Sequence, residues 1–336
     1  MSEQGHKRGY FTSIAEDYFD GEAIRRLMFC YRTVGCAHYR SPEGGCRMCA
    51  FPAISTLGKT VDPEDLKEQL DNALASVDWE KEGLGELDLF CSGSFFNDEE
   101  VPPEVRRHAA ESARNLPKLK KLLVESRPEY ILPSDIDEMK EILGDDIRLE
   151  VAIGLESANE YVREEIIRKG FDLKDFENSL NTLGKRGTCL LVYVFLKPPG
   201  LSEARALEDT VATARYVFDC ANRYSLPNVT AAIQPAFVQR EGILFDLYQR
   251  GEYKPPWLWT VVEVIKRVHG LGEVQIGTSE DTPPPIATRA NCGKCDERVE
   301  AAIAKYNEKQ DYQVFEELHC QCKEKWRKEV IESCSE

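Results

Sequence analysis

No stretch of the 336 residues is apolar for long enough to cross a bilayer. The opening MSEQGHKRGYFTS lacks the apolar segment of a secretory leader. The expectation from these two absences is a soluble, cytoplasmic protein with no membrane contact. Positive charge is scarce: 43 Lys and Arg stand against 59 Asp and Glu, a formal net charge of −16. Residues 1–60 carry 8 basic against 6 acidic side chains and residues 289–336 carry 9 against 11, so residues 61–288 hold the whole excess, 26 against 42. An acidic surface repels phosphate, which argues against a protein that grips nucleic acid alone. If RNA is the substrate, its contacts come from the two near-neutral ends or from a partner. A solvated acidic surface that only aids solubility explains the same numbers equally well. There is no low-complexity segment. No G-x-G-x-x-G follows the first apolar run, which excludes the dinucleotide fingerprint.

What the chain does have is a repeating pattern. Short runs rich in Val, Ile, Leu and Phe lie at 27–34, 87–92, 119–126, 147–157, 188–196 and 228–235, with a shorter one at 273–277. Amphipathic stretches separate them. PEDLKEQLDNAL and PPEVRRHAAESARN open with Pro and acids, as helix starts do, and SEARALEDTVATARYVFDCANRY keeps a 3.6-residue period. Six strand–helix units predict parallel strands with helices outside. Six are too few for a full eight-stranded barrel, so the expected fold is α/β, a partial (β/α)6 TIM-like barrel. Polar residues gather just after strand C-termini, where barrel sites form: Ser92-Gly93-Ser94, Glu125-Ser126-Arg127, Glu156-Ser157 and Lys197-Pro198-Pro199. The turn-rich TSEDTPPPIATR at 278–289 marks a boundary. It divides the chain into an N-terminal extension (1–26), the barrel (27–280) and a small C-terminal Cys-rich unit (281–336).

Twelve cysteines are many for a reducing compartment, where clustered thiols bind metal or do chemistry more often than they form disulfides. Four lie in 30–49 and four in 292–322, while Cys91, Cys189, Cys220 and Cys334 are scattered. Cys36-x9-Cys46-x2-Cys49 falls in the loop after the first expected strand, with Gly44-Gly45 allowing backbone to come close to a bulky ligand. With Cys30 included, a four-cysteine zinc site is possible. Without it, three thiolates hold a 4Fe–4S cluster and leave one iron open, as a reactive cluster requires. Cys30 sits inside the apolar run LMFCYRTV, poorly placed to converge with the others, which favours the three-thiolate cluster. The second set, Cys292-x2-Cys295 and Cys320-x-Cys322, can close one tetrahedron. Structural zinc, an auxiliary iron–sulfur cluster and unpaired thiols are its three readings, in that order. His319 beside it is a possible replacement ligand. His6, His38, His108 and His269 show no catalytic spacing.

On the three-cysteine loop and the partial barrel, the chain resembles the radical S-adenosylmethionine (SAM) superfamily. Its long first gap is similar to that of the elongator acetyltransferase's radical-SAM domain, where the usual family spacing is C-x3-C-x2-C, and Met48 stands where the family often has an aromatic. SGSFFNDEEVPPEVR, VESRPEYI, AIGLES, FLKPPGLSEARAL and YKPPWLW, taken in order, resemble the archaeosine-synthase radical-SAM subfamily (RaSEA) over nearly the whole chain. The resemblance implies a cluster on Cys36, Cys46 and Cys49 with SAM chelated on the open iron. It also implies an electron-donor protein, and a 5′-deoxyadenosyl radical that takes hydrogen from a lysyl group joined by an amidine to a 7-deazaguanine in tRNA. Breakage of the carbon–nitrogen bond then gives archaeosine, with a partner enzyme that attaches the lysine and supplies tRNA binding. A different radical-SAM substrate, or a non-catalytic zinc-binding interaction subunit, are the rival readings.

The resemblance places the methionyl amine of SAM against Ser92-Gly93-Ser94; a plain strand-end turn is the alternative. Glu125 can take ribose hydroxyls and Arg127 can clamp a carboxylate, or the two form a structural ion pair. The same choice applies to Glu156 and Ser157. Lys197 either meets a substrate anion or is a solvated surface lysine. The aromatics of YKPPWLW either stack on a base or, more in keeping with helix starts, pack as core.

Overall fold

A computed structural model describes residues 7–19, 21–49, 51–240, 242–277 and 285–333. Cys334, His6 and residues 278–284 of the expected boundary lie outside them.

The strands are β1 (Phe11–Phe19), β2 (Glu22–Tyr31), β3 (Leu84–Cys91), β4 (Lys121–Glu125), β5 (Arg148–Glu156), β6 (Cys189–Leu196), β7 (Val229–Pro235) and β8 (Glu273–Ile276). They lie in one sheet in chain order. The helices are α1 (Ala37–Arg40), α2 (Pro63–Ala75), α3 (Pro103–Arg114), α4 (Pro133–Leu143), α5 (Leu173–Gly184), α6 (Glu203–Arg223), α7 (Ile243–Gln249), α8 (Leu258–Val268), α9 (Asp296–Lys309) and α10 (Cys322–Ser333). The class is the α/β partial barrel expected, with a Cys-rich unit at its C-terminal end. β2 to β5 pair in parallel, as do β7 and β8. Every apolar run named above became a strand. β1 was not foreseen: it pairs antiparallel with β2 and buries only Asp17 along its length, so its sequence FTSIAEDYF shows little apolar patterning. No described helix is long and apolar enough to cross a membrane.

Two compact units make up the chain. The first holds residues up to Ile153 with Gly170–Leu191 and Tyr224–Asn228; the second holds Gly154–Lys169, Val192–Arg223 and the residues from Val229 on. In the first, local chemistry sets the helix starts. Asp62 caps α2 by accepting from Glu64 N at 2.9 Å, with Pro63 at the first helical position. Asp172 and Asp175 form a reciprocal capping box at the start of α5.

β3 alternates by the two-residue period of a strand. Leu87 and Leu89 face one way; Glu86 and Asp88 face the other, and all four are buried. The two carboxylates join a charged cluster. Lys121 Nζ lies 2.8 Å from Glu86, 3.2 Å from Glu150 and 3.6 Å from Asp17. Arg26 reaches Asp88 at 3.1 Å and Asp17 at 3.4 Å. Four carboxylates thus share two cations. Burial first, and then Asp88, hold the Glu86 carboxyl well above the usual carboxylate range.

In the second unit, α6 and α8 carry the core, with Trp259 only 1% exposed. The Glu203 carboxylate is fully buried there. It accepts from Trp257 N at 2.9 Å and from the Thr260 hydroxyl, and it pairs with Lys197 Nζ. The reading of Lys197 as a solvated surface lysine is therefore corrected: the residue is 5% exposed and its ammonium pairs with Glu203. Tyr253 donates its hydroxyl to Lys197 O at 2.9 Å, so YKPPWLW packs inward rather than presenting a stacking surface.

Candidate functional site

The first cysteine loop belongs to the first unit and begins where β2 ends. Cys36 donates its N–H to Ser92 O at 2.8 Å and forms the N-cap of α1. Its thiol receives backbone N–H groups of Tyr39 and His38, yet burial, the larger effect, together with Glu100 raises its pKa above the ordinary thiol value. Cys49 N donates to Cys46 O at 3.2 Å, closing a tight turn across the C-x-x-C pair. Gly44 and Gly45 adopt φ of +78° and +79°, the left-handed region that favours glycine. At Gly45 a Cβ would lie 2.8 Å from Tyr39 Cα, so the close backbone approach there is to the chain's own α1. Burial lowers the Arg127 pKa, and Glu129 and then the fields of Cys36 and Cys46 raise it above the ordinary value; the sulfurs of Cys36, Cys46 and Cys49 are not drawn into one convergent ligand set among the described residues. Cys30 stands apart. It is 1% exposed inside β2, in register with Phe11 and Phe90, and burial pushes its thiol up to about 12. A thiol so protonated and enclosed is a core side chain.

A second loop, after β3, holds the first one in place. Ser92 gives its carbonyl to Cys36, and its hydroxyl lies 3.4 Å from Thr33 Oγ1. Ser94 Oγ accepts from Arg127 N at 3.2 Å. The link between the loops is Glu100, 1% exposed. Its Oε1 accepts from Ala37 N at 2.8 Å and from Asn97 Nδ2 at 2.9 Å, while Oε2 accepts from Ser94 N at 2.5 Å. Sequence reasoning missed Glu100, because the acidic run NDEE reads as a solvated turn; the Asn97-x2-Glu100 spacing after SGS was the available signal. Gly93 sits in the closest part. A Cβ there would fall on Glu100 Oε2 and come within 2.9 Å of Cys36 Cα. Gly93→Ala should therefore break the latch. The expected outcome is a loss of at least half the reconstituted iron at unchanged expression, measured by iron analysis; full retention would contradict the role given to Glu100.

The other expected residues are placed as follows. Glu125 ends β4, and its carbonyl accepts from Phe95 N at 2.8 Å. Arg127 is paired with Glu129 at 2.5 Å, donates to Gly170 O at 3.2 Å and lies over the Phe171 ring at 5.3 Å. In the second unit, Glu156 has φ +65° and accepts from Lys169 Nζ at 2.9 Å. Ser157 donates to Asp209 Oδ1 at 2.8 Å and accepts from Asn159 N at 3.0 Å. Burial pushes the Asp209 carboxyl up to about 6.

The C-terminal cysteines, also in the second unit, converge without assistance. The sulfurs of Cys292, Cys295, Cys320 and Cys322 all lie within 4.8 Å of one another, the one such metal-ligand set among the described residues. Four of the separations are 3.9 Å for Cys292–Cys295, 3.6 Å for Cys292–Cys320, 3.5 Å for Cys295–Cys322 and 3.4 Å for Cys320–Cys322. A tetrahedron with Zn–S bonds of about 2.3 Å has S–S edges of about 3.8 Å, so these edges suit one mononuclear ion. Neighbouring N–H groups point at the sulfurs. Trp259 Nε1 donates to Cys322 Sγ at 3.2 Å, and Asn291 Nδ2 to Cys295 Sγ at 3.4 Å. Such donors offset the charge of four thiolates. His319 is not part of the set.

No family model matches the chain. The archaeosine synthase subunit beta of Methanosarcina acetivorans is 29% identical over 93% of this chain and 87% of its own. That of Thermococcus kodakarensis is 30% identical over 94% of each. Among solved structures, Methanocaldococcus infernus Elp3 with an N-terminal deletion aligns over 74% of this chain and 59% of its own, with 19% identity and a TM-score of 0.48. Identity at this level across almost the entire length of both proteins shows the family: the chain belongs to the archaeosine synthase subunit beta family.

Proposed function

We propose that this chain is the radical-SAM subunit of an archaeosine synthase, cleaving the carbon–nitrogen bond of a lysine-modified 7-deazaguanine in tRNA so that the amidine nitrogen stays on the base. The observation that carries the reading is the 30% identity to a protein of that name over 94% of both chains. Cys36, Cys46 and Cys49 are the residues proposed to hold a 4Fe–4S cluster, a reading supported by the burial of Cys30 in β2. The donor set suits the group: soft thiolates, with backbone N–H groups of Tyr39 and His38 bonded to Cys36. When bound, the cluster supplies one electron to the sulfonium of SAM.

The protein's own residues then have defined tasks. Glu100 and Ser92 fix the Cys36 end of the loop against the turn after β3. Arg127, held by Glu129 and Gly170, offers positive charge to the cluster loop and to the carboxylate of SAM. Ser92-Gly93-Ser94 and Glu125, at the ends of β3 and β4, are the proposed SAM contacts of the first unit; for Glu156 and Ser157 in the second unit a cofactor role rests on the resemblance alone. The four C-terminal thiolates hold a structural zinc ion, which ties the start of α10 to Trp259 of α8. A net charge of −16 suits a subunit that takes its tRNA together with a lysine-attaching partner, and an electron-donor protein completes the system. The reaction would run in the cytoplasm, where thiolates stay reduced.

The test uses anaerobically reconstituted protein with the partner subunit and reductant. Lysine-modified tRNA should release 5′-deoxyadenosine and yield archaeosine, at least about tenfold above bare tRNA. Equal release with both substrates and no archaeosine would sink the assignment.

A further inference from the structure

The second unit carries a groove of about 300 Å³ between α8 and α10. Its walls present Lys266 and Arg267 from α8 and Lys323 and Arg327 from α10, with the Trp259 and Tyr312 rings between them. Some of this charge is already answered. Arg267 pairs with Glu208 at 2.6 Å and with Glu263, also in the groove, at 2.9 Å; Arg327 pairs with Glu324 at 2.5 Å. Lys323 lies in the fields of Glu263 and Glu324 as well as of Lys266 and Arg327, and its Nζ sits 4.9 Å over the Trp259 ring. Four cations are thus gathered on one face of a chain whose central segment is strongly acidic. Glu208, Glu263 and Glu324 offset part of this charge, and the positive excess that remains on Lys266 and Lys323 is what an anion from outside can meet.

The walls of the groove are also fixed. Cys322 begins α10 and belongs to the four-thiol set, and Trp326 Nε1 of the same helix donates to Thr260 Oγ1 of α8 at 2.8 Å. The cations therefore stand on two tied helices and not on a loose surface.

We propose that this groove docks the phosphate backbone of the substrate tRNA. This deepens the function proposed above and rests on it. An acidic chain that must bring RNA to its active site needs at least one place where the field reverses sign, and phosphate contacts give sequence-independent binding that salt weakens. The expected ligand groups are phosphodiesters, with the ammonium groups of Lys266 and Lys323 as the donors.

The test compares wild type with Lys266→Glu/Arg327→Glu, two exposed positions away from the thiols, using lysine-modified tRNA and the unmodified transcript. Zinc content checks the fold. The expected result is roughly tenfold weaker binding of both RNAs by the double variant, and a log–log salt slope shallower by about 1, at unchanged zinc. Equal affinity and slope in the two proteins would overturn the groove, and continued archaeosine formation would leave the reaction standing. Weakened binding by the variant, with no archaeosine made by wild type, keeps the groove and sinks the reaction. No tRNA binding by wild type overturns the groove. So does loss of the partner subunit at intact tRNA binding, which would assign the cations to an acidic protein face.

Discussion

Cys36→Ala should abolish the visible charge-transfer absorbance of the anaerobically reconstituted protein and lower SAM cleavage by roughly three orders of magnitude or more, as expected when a unit of the reactive centre is removed. Cys30→Ala should keep both. The contrast follows from where the two sulfurs lie. Cys36 is at the head of α1, hydrogen-bonded to the turn after β3 and within the field of Arg127. Cys30 is one strand residue among Phe29 and Tyr31, with its thiol held protonated by burial. Its loss opens a small cavity and costs about 1 kcal/mol of stability. Iron retained in the Cys36 variant and lost in the Cys30 variant would reverse the ligand assignment.

Lys121→Met should destabilise the protein by about 3–5 kcal/mol, because it leaves Glu86, Glu150 and Asp17 buried without their shared cation. Lys121→Arg, which keeps the charge, should recover most of this. The same cluster fixes the sign of a pH effect. The Glu86 carboxyl is raised in the folded state, so its favourable contribution is complete below the ordinary carboxylate range and is lost as pH rises through the raised value. Glu86→Gln should accordingly gain stability at pH 8 relative to wild type and lose that advantage towards pH 4. Anaerobic thermal unfolding of the loaded protein at both pH values measures it. A Lys121→Met change below about 1 kcal/mol would show that Arg26 alone satisfies the four carboxylates.

The strands were legible because parallel strands covered on both faces are written as unbroken apolar runs: LLV in β4 and LLVYVFL in β6 have little else to do. β1 was not, since an edge strand with most of its side chains exposed carries no such run. At the site, the cysteine spacing and the polar residues after each strand were readable one by one. Their mutual ties were not. Glu100 lies in a run of acids that reads as solvent-facing, and only the fold turns its carboxylate towards Ala37 and Ser94. Lys197 reads as a surface lysine for the same reason: Glu203, six residues on, starts a helix, and nothing local says that α6 turns it back onto the strand end. The C-x-x-C and C-x-C pairs suggested one tetrahedron, but which donors support the sulfurs depended on Trp259, far away in sequence.

Metal content with and without SAM is the most direct measurement. Wild-type protein, purified and reconstituted without oxygen, should hold one 4Fe–4S cluster's worth of iron and a single zinc ion per chain, and the reduced cluster's electron paramagnetic resonance signal should shift when SAM is added. Zinc at both cysteine sets, with no iron and no response to SAM, would contradict it.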